Sequence, residues 1–155
     1  MTNGRINKRS ALLAILCVLV MLFAVPVASA ASYSKVYGQT QDKVRVRESA
    51  STNATIIDNI VKDACIYITS SKTSGSNTFV QVKYRASDGS TATGWVCQSD
   101  GRNTYVKVLS TDQAKSKFKV SSGDLPSKAV GTFTAAERKA SAANSDTTYI
   151  RENSS

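Results

Sequence analysis

Apolar and polar residues alternate in short runs between Lys43 and Leu109. The first run, "KVRVR", places Val44 and Val46 on one face of a strand, because successive side chains in a strand point to opposite faces. Five more runs follow, separated by turn residues, and they read "TIIDNIV", "ACIYIT", "TFVQVKY", "GWVC" and "TYVKVL". Since no amphipathic helix interrupts them, these runs predict an all-β fold, a small antiparallel barrel or sandwich of five to six strands over residues 43–109.

The phase of each run predicts which side chains face the core. The predicted core residues are Val46, Ile66, Ile68, Val82 and Val96. Phe79 is out of phase with Val80 and Val82, so its ring is expected to be exposed. For Trp95 and Tyr84 two interpretations stay open, a core position and a position at a ligand.

The N-terminus has the three-part pattern of a secretory signal peptide. A basic start, "MTNGRINKRS", precedes the apolar run "ALLAILCVLVMLFAVPV" and the small residues "ASA". This pattern predicts a signal peptide at residues 1–30, with cleavage after Ala30 and a short lead-in at 31–42. The alternatives are an uncleaved membrane anchor and, at Cys17, a lipid anchor, although Leu16 is larger than the residue that a lipobox has there.

The composition changes after the last predicted strand. Residues 110–147 are rich in Ser, Ala, Lys and Thr, and their apolar residues occur singly, which predicts a flexible linker. Within it Thr134 and Glu137 have the spacing of a capping box, so a frayed helix of about ten residues is expected there.

The net charge of the whole chain is +9. Without residues 1–30 the chain keeps 17 of its 20 basic residues and all 11 acidic residues, which leaves a net charge of +6. An exported basic protein is suited to anionic polymers such as teichoic acid or acidic glycans, but scattered cations also occur on surfaces that have no partner. We expect no nucleic acid partner, and membrane contact only through an uncleaved signal segment.

Two cysteines, Cys65 and Cys97, follow the predicted cleavage point. Export permits a disulfide between them, which would close a loop of about thirty residues and could contribute roughly 3 to 4 kcal/mol. Two unpaired thiols are the alternative.

The chain has no histidine. This excludes a Ser-His-Asp triad and a Cys-His pair, and it removes the usual catalytic zinc ligands. No phosphate-binding glycine motif occurs, and the acidic residues are scattered. We therefore predict a non-enzymatic protein without a cofactor or a metal.

The order of motifs resembles the bacterial Src-homology-3 (SH3b) family. The matching stretches are Arg45-Val46-Arg47 for the opening strand, "ESAST" for the turn, "IIDNIVKDACIYI" for the hairpin, Phe79 to Val82 for the next strand, and Gly94-Trp95-Val96 for the close. The chain departs from the family pattern at Arg45, Ala50, Asp63 and Phe79, where the family has Asn, Pro, Gly and Trp. The resemblance implies a small SH3-like antiparallel barrel at 43–109.

The resemblance also implies a function and a location. We expect a secreted, cell-wall associated module that docks on peptidoglycan or on an anionic wall polymer. The candidate ligand-binding residues are Phe79, Tyr67, Lys83, Arg85, Trp95 and Arg102. The alternatives are an extracellular domain that binds another exported protein, and the targeting fragment of a longer cell-wall hydrolase.

The last residues resemble the first predicted strand. "TTYIRENSS" has an Arg-Glu pair and a serine at the positions that they occupy in "KVRVRESAS". Because SH3b domains often occur in tandem, residues 148–155 are interpreted as the start of a second, truncated copy, with a disordered tail as the alternative.

Overall fold

The computed structural model describes residues 32–152, and it describes side chains as far as residue 144. The predicted signal peptide at 1–30 lies outside the described residues, as do residues 31 and 153–155. No helix within residues 32–152 is both long enough and apolar enough to cross a membrane.

Seven strands form one antiparallel sheet, so the all-β prediction is confirmed. Six of them lie within residues 43–109, as predicted, and one more lies in the predicted lead-in. The strands are β1 (Val36–Thr40), β2 (Val44–Arg47), β3 (Ile56–Ile60), β4 (Cys65–Ser74), β5 (Asn77–Arg85), β6 (Thr91–Ser99) and β7 (Val106–Leu109), and the helices are α1 (Thr111–Phe118) and α2 (Ala135–Glu152). The strand order is β3-β2-β6-β5-β4-β1-β7. The ladder therefore has two edges, β3 and β7, and is not closed.

Strand β1 lies in the predicted lead-in, between β4 and β7 in the sheet. Its Gly38 pairs with Ile66 on one side and with Val108 on the other. A Cβ atom at Gly38 would come within 2.8 Å of Val106 Cγ1. A glycine is therefore needed for β1 to pack between its neighbours, and it also weakens the apolar pattern that would have identified the strand.

The main core lies on one face of the sheet. All five predicted core residues are fully buried there, which confirms the predicted phase of the strands. Tyr84 is also fully buried and belongs to the same cluster. The core thus follows from the period-2 pattern.

Val82 provides a test of this core, because it pairs with Ile68 and Gly94 at the centre of the sheet. Val82→Ala is expected to lower the free energy of unfolding by about 1 to 3 kcal/mol through lost burial and a residual cavity. Urea denaturation measures this change, and Lys83→Ala at the next, exposed position is the control. A loss below a few tenths of a kcal/mol for Val82→Ala would contradict the burial of this side chain.

Much of the segment 110–147 packs on the sheet, so the prediction of a flexible linker differs from the structure. Helix α1 begins with a capping box, in which Ser110 Oγ accepts from the Gln113 backbone N–H and Gln113 Oε1 accepts from the Ser110 N–H. Ala114 and Val120 are buried in a second, smaller cluster with Tyr37, Cys65 and Leu109. Single apolar residues of this segment pack beside the sheet. The average composition of the segment does not reveal such contacts.

Residues 126–134 form a strap along the edge of β3. Val61 N–H donates to Val130 O at 3.1 Å, and Thr132 N–H donates to Asn59 O at 2.9 Å. The backbone N–H groups of Val130 and Gly131 both donate to Arg85 O, at 2.9 and 2.8 Å. The strap therefore covers the edge strand and connects it to the end of β5, so this edge is shielded from pairing with other strands.

A buried carboxylate holds the strap in place. Asp58 is fully buried, and its Oδ1 accepts from the backbone N–H groups of Thr132 at 3.0 Å, Phe133 at 2.8 Å and Asn59 at 2.7 Å. Its Oδ2 accepts from the Tyr84 hydroxyl at 2.9 Å and lies 3.8 Å from Arg138 Nη1. These contacts satisfy the oxygens of a side chain that would otherwise be costly to bury.

Helix α2 begins after the predicted capping box, which is confirmed. Thr134 N–H donates to Glu137 Oε2 at 2.6 Å, and Glu137 N–H donates to Thr134 Oγ1 at 3.2 Å. The helix extends for 18 residues instead of about ten. Residues 148–152 are thus helical, where the second-copy interpretation expects a strand, and residues 153–155 of that interpretation lie outside the described part of the chain.

Candidate functional site

The face of the sheet opposite the main core carries several of the predicted ligand-binding residues, and we call it the second face. Tyr67, Lys83 and Thr93 lie side by side across β4, β5 and β6. In the next row Trp95 pairs with Gln81 on one side and with Arg47 on the other. The register of the strands therefore brings Tyr67, Lys83 and Trp95, which are far apart in sequence, into one patch.

Helix α1 covers the second face at its β1–β7 end. At one end the helix covers Tyr37, whose ring meets that of Tyr67 edge to face with centroids 5.2 Å apart. Beyond this contact Tyr67 and Trp95 are half-buried and Lys83 is exposed. Two aromatic rings with an exposed cation between them thus form a shallow platform, which suits a ligand with an apolar face.

A cleft of about 400 Å³ adjoins this patch, and we call it the cationic cleft. Its lining residues are Lys43, Val44, Arg45, Arg47, Thr52, Asn77, Phe79, Cys97, Asp100 and Tyr105. Lys43 directly precedes β2, and Arg45 and Arg47 lie within it. The three cations therefore occupy alternate positions and are expected on one face of this extended segment. The volume is within the usual range for a ligand site.

Phe79 belongs to the floor of this cleft and is fully buried, so the prediction of an exposed Phe79 ring is wrong. The register of β5 and β6 shifts between Thr78 and Phe79, and Phe79 then pairs with Cys97. The alternation correctly placed Phe79 away from the main core. The alternation did not indicate that other residues would cover the Phe79 ring on the second face.

Asp100 supplies the single acidic side chain in the cleft lining. Its carboxylate accepts from the backbone N–H groups of Arg102 and Asn103, at 2.9 and 2.7 Å, and from the Tyr105 hydroxyl at 2.7 Å. These hydrogen bonds, that of Asn103 first, hold the pKa of Asp100 well below its usual range. The bond to Asp100 in turn raises the pKa of Tyr105. Asp100 thus remains ionised, while its oxygens are engaged by its own loop.

Arg47 connects the cleft to the patch around Trp95. Its Nη1 donates to Ala54 O at 2.6 Å, which fixes one end of the guanidinium. Burial lowers the pKa of Arg47, and the charge of Arg45 lowers it further. Arg47 is therefore an oriented cation with like charge nearby.

Two of the predicted ligand-binding residues lie elsewhere. Arg85 holds the strap, because its Nε donates to Pro126 O at 3.3 Å and its Nη1 donates to Thr91 Oγ1 at 3.0 Å. Arg102 is exposed in the loop between β6 and β7 and is not part of the cleft lining. Of the six candidates, the structure thus brings four to the second face and its cleft.

Both cysteines are free thiols, and the register places them far apart. Tyr67 pairs with Lys83, and Cys65 lies two residues further towards the Arg85 end of β5, whereas Cys97 pairs with Phe79. This offset of six residues along the strands is roughly 20 Å. A disulfide requires Cα atoms within about 7 Å, so the disulfide that the sequence left open is not compatible with this sheet.

Burial raises the pKa of both thiols, that of Cys65 to about 11. The Cys97 thiol donates to Ser99 O at 3.4 Å and is protonated near neutral pH. The residues that the structure describes contain no cluster of His, Cys, Asp and Glu suited to a metal ion. The charged groups that the cleft offers to a ligand are the side chains of Lys43, Arg45, Arg47 and Asp100.

Comparison of the chain with protein-family models, with curated proteins and with solved structures gave no match. The interpretation of the site therefore rests on its own geometry. The cations of the cleft were present in the sequence as the polar face of "KVRVR", but only the pairing of Arg47 with Trp95 connects them to the aromatic residues.

Proposed function

We propose that this chain is an exported, non-catalytic binding module of the SH3-like type, which docks on bacterial cell-wall peptidoglycan or on an associated anionic polymer. The observation that carries the proposal is the patch of Tyr67, Lys83 and Trp95 on the second face, which adjoins the cationic cleft.

The arrangement of the strands supports the SH3-like part of the proposal. The antiparallel strands bury one main core, and the strap joins the β3 edge to the end of β5. Gly94, the first residue of the Gly-Trp-Val motif, lies where β2 and β6 approach closely, and a Cβ atom there would be 3.1 Å from Arg47 O. The glycine of the motif thus allows β2 and β6 to pack closely.

The chemistry of the patch supports a wall glycan as the ligand. A sugar ring has an apolar face that packs on an aromatic ring and hydroxyl groups that bond to polar side chains around it. Trp95 offers such a ring, and Gln81, Lys83 and Thr93 surround it with donors and acceptors. The cations next to Trp95 suit carboxylates of stem peptides or phosphates of wall polymers.

The state of the side chains supports binding without catalysis. Burial raises the pKa of both thiols, so neither is a thiolate nucleophile near neutral pH. General acid–base catalysis at neutral pH is most often performed by histidine, which this chain lacks.

The test is retention of the full chain on purified cell walls, with and without teichoic acid, over a range of salt concentrations. Trp95→Ala is expected to weaken retention about tenfold at every salt concentration, because the stacking surface is lost. Lys83→Gln is expected to weaken retention mainly at low salt, since exposed charges are screened over about 8 to 10 Å.

Lys62→Gln is the matched control, because Lys62 is exposed in the turn between β3 and β4, away from the patch. Circular dichroism confirms that each variant is folded. Retention that is unchanged in Trp95→Ala would contradict the patch. A folded chain that is not retained on either wall would favour the alternative, a domain that binds another exported protein.

A further inference from the structure

Three cations of the cationic cleft lie in a row along β2. Lys43, Arg45 and Arg47 occupy alternate positions, so neighbouring members of the row are roughly 7 Å apart along the strand. Lys43 and Arg45 are exposed, and the ion pairs found within residues 32–152 involve none of the three. The row is therefore a linear array of positive charge that forms no ion pair with the described residues.

The positive charges of the cleft repel one another. The pKa of Arg47 is lowered by burial and by Arg45, so Arg45 and Arg47 are close enough to repel each other. Asp100 is the only acidic residue of the lining, and its carboxylate is engaged by Arg102, Asn103 and Tyr105. An external anion would therefore relieve the repulsion, and it would find unused donors on Lys43, Arg45 and Arg47.

We infer that the cationic cleft binds a linear polyol phosphate, in which three-carbon polyol units are joined by phosphodiesters and successive phosphates lie against Lys43, Arg45 and Arg47. This inference rests on the anionic-polymer part of the proposed function and names the class of polymer. The glycan part, at the platform around Trp95, is tested separately.

The repeat of the polymer matches the repeat of the strand. In an extended chain two residues of protein backbone comprise six bonds and span roughly 7 Å. Six bonds also separate successive phosphorus atoms in a phosphodiester of a three-carbon polyol, so the two chains have nearly the same period. A five-carbon polyol has eight bonds per repeat and loses this register after one unit.

Nucleic acid has the same six-bond repeat along its backbone, but the cleft lacks the second element of a single-strand site. Such sites usually provide exposed aromatic rings on which bases stack. Of the rings that line this cleft, Phe79 is fully buried, and Tyr105 is half-buried with its hydroxyl held by Asp100, while Trp95 lies outside the lining. A polymer without bases fits this lining better.

The test is calorimetric titration of the full chain with four probes of equal charge. The probes are an oligomer of glycerol phosphate, an oligomer of ribitol phosphate, an oligothymidylate and an oligoglutamate. The glycerol phosphate oligomer is expected to bind most tightly. Arg45→Gln is expected to weaken its binding about tenfold, because one charge-assisted contact is lost. The slope of log K against log salt concentration is expected to fall by about 0.7, because one fewer counterion is released.

Arg102→Gln is the matched control, since it removes the same charge from an exposed arginine outside the cleft. It is expected to leave both the affinity and the salt slope nearly unchanged. Trp95→Ala separates this site from the proposed wall platform, because it is expected to weaken wall retention and to spare glycerol phosphate binding.

Three results would overturn the inference. Equal loss in Arg45→Gln and Arg102→Gln would show a diffuse charge effect instead of a site. Binding of oligoglutamate as tight as that of glycerol phosphate would exclude a phosphodiester site, and tighter binding of oligothymidylate would identify a nucleic acid site.

Discussion

Asp58→Ala is expected to lower the free energy of unfolding by roughly 3 to 5 kcal/mol, which is a large part of the stability of a small domain. The substitution removes the acceptor for the backbone N–H groups of Thr132 and Phe133 and for the Tyr84 hydroxyl. Each donor left without a partner in a buried position costs about 1 to 3 kcal/mol. Urea denaturation monitored by circular dichroism measures the loss.

Asp58→Asn and Asp88→Ala are the controls for this prediction. Asparagine keeps one oxygen for the strap N–H groups, so Asp58→Asn is expected to be less destabilising than Asp58→Ala. Asp88 also bonds to Arg138, with Nη2 to Oδ2 at 2.6 Å, but it is exposed, and its removal is expected to change stability little. Equal stabilities of Asp58→Ala and the unchanged chain would contradict the role of Asp58 in holding the strap.

The main core was predictable because it depends on local alternation. Val46, Ile66 and Val82 lie in runs in which every second residue is apolar, and a strand with one buried face requires this pattern. Strand β1 was missed because its core-facing positions include Gly38, which is needed for close packing and contributes no apolar signal. Periodicity thus identified the strands that bury large side chains.

The strap and α1 could not be predicted because they depend on contacts between distant residues. Asp58 appeared as a polar residue in an apolar run, and its partners Thr132 and Phe133 lie more than seventy positions later in a Ser-rich segment. The composition of that segment is typical of a linker. A few well-placed hydrogen bonds and single apolar side chains were sufficient to order it.

The candidate site was partly predictable for a similar reason. The sequence indicated which aromatic and basic residues were available, and the second face brings Tyr67, Lys83 and Trp95 together. The cleft required the β2–β6 pairing of Arg47 with Trp95, which no local pattern encodes. The burial of Phe79 likewise depends on residues from other strands and loops.

Ending the chain after Ser110 is expected to prevent cooperative folding of the sheet, because the removed part supplies contacts to both faces. On the second face Tyr37 would lose the carbonyl oxygens of Ser121 and Asp124, to which its hydroxyl donates at 2.6 and 2.9 Å. The same face would lose the apolar cover of Ala114 and Val120. Asp58 would lose the backbone donors of Thr132 and Phe133 and the contact with Arg138, so the deletion removes the contacts that join the strap to the main core.

Ending the chain after Asn144 is the matched control, because it keeps the strap, the capping box at Thr134 and the side chain of Arg138, which donates to Phe133 O at 2.8 Å. This shorter deletion is expected to leave the midpoint of thermal unfolding within a few degrees of that of the full chain. The deletion after Ser110 is expected to give a broad, non-cooperative transition and rapid amide exchange at Val82, the central core position. A sharp transition at the same temperature for both deletions would mean that residues 32–110 fold without the segment that follows them, as the linker interpretation of the sequence expects.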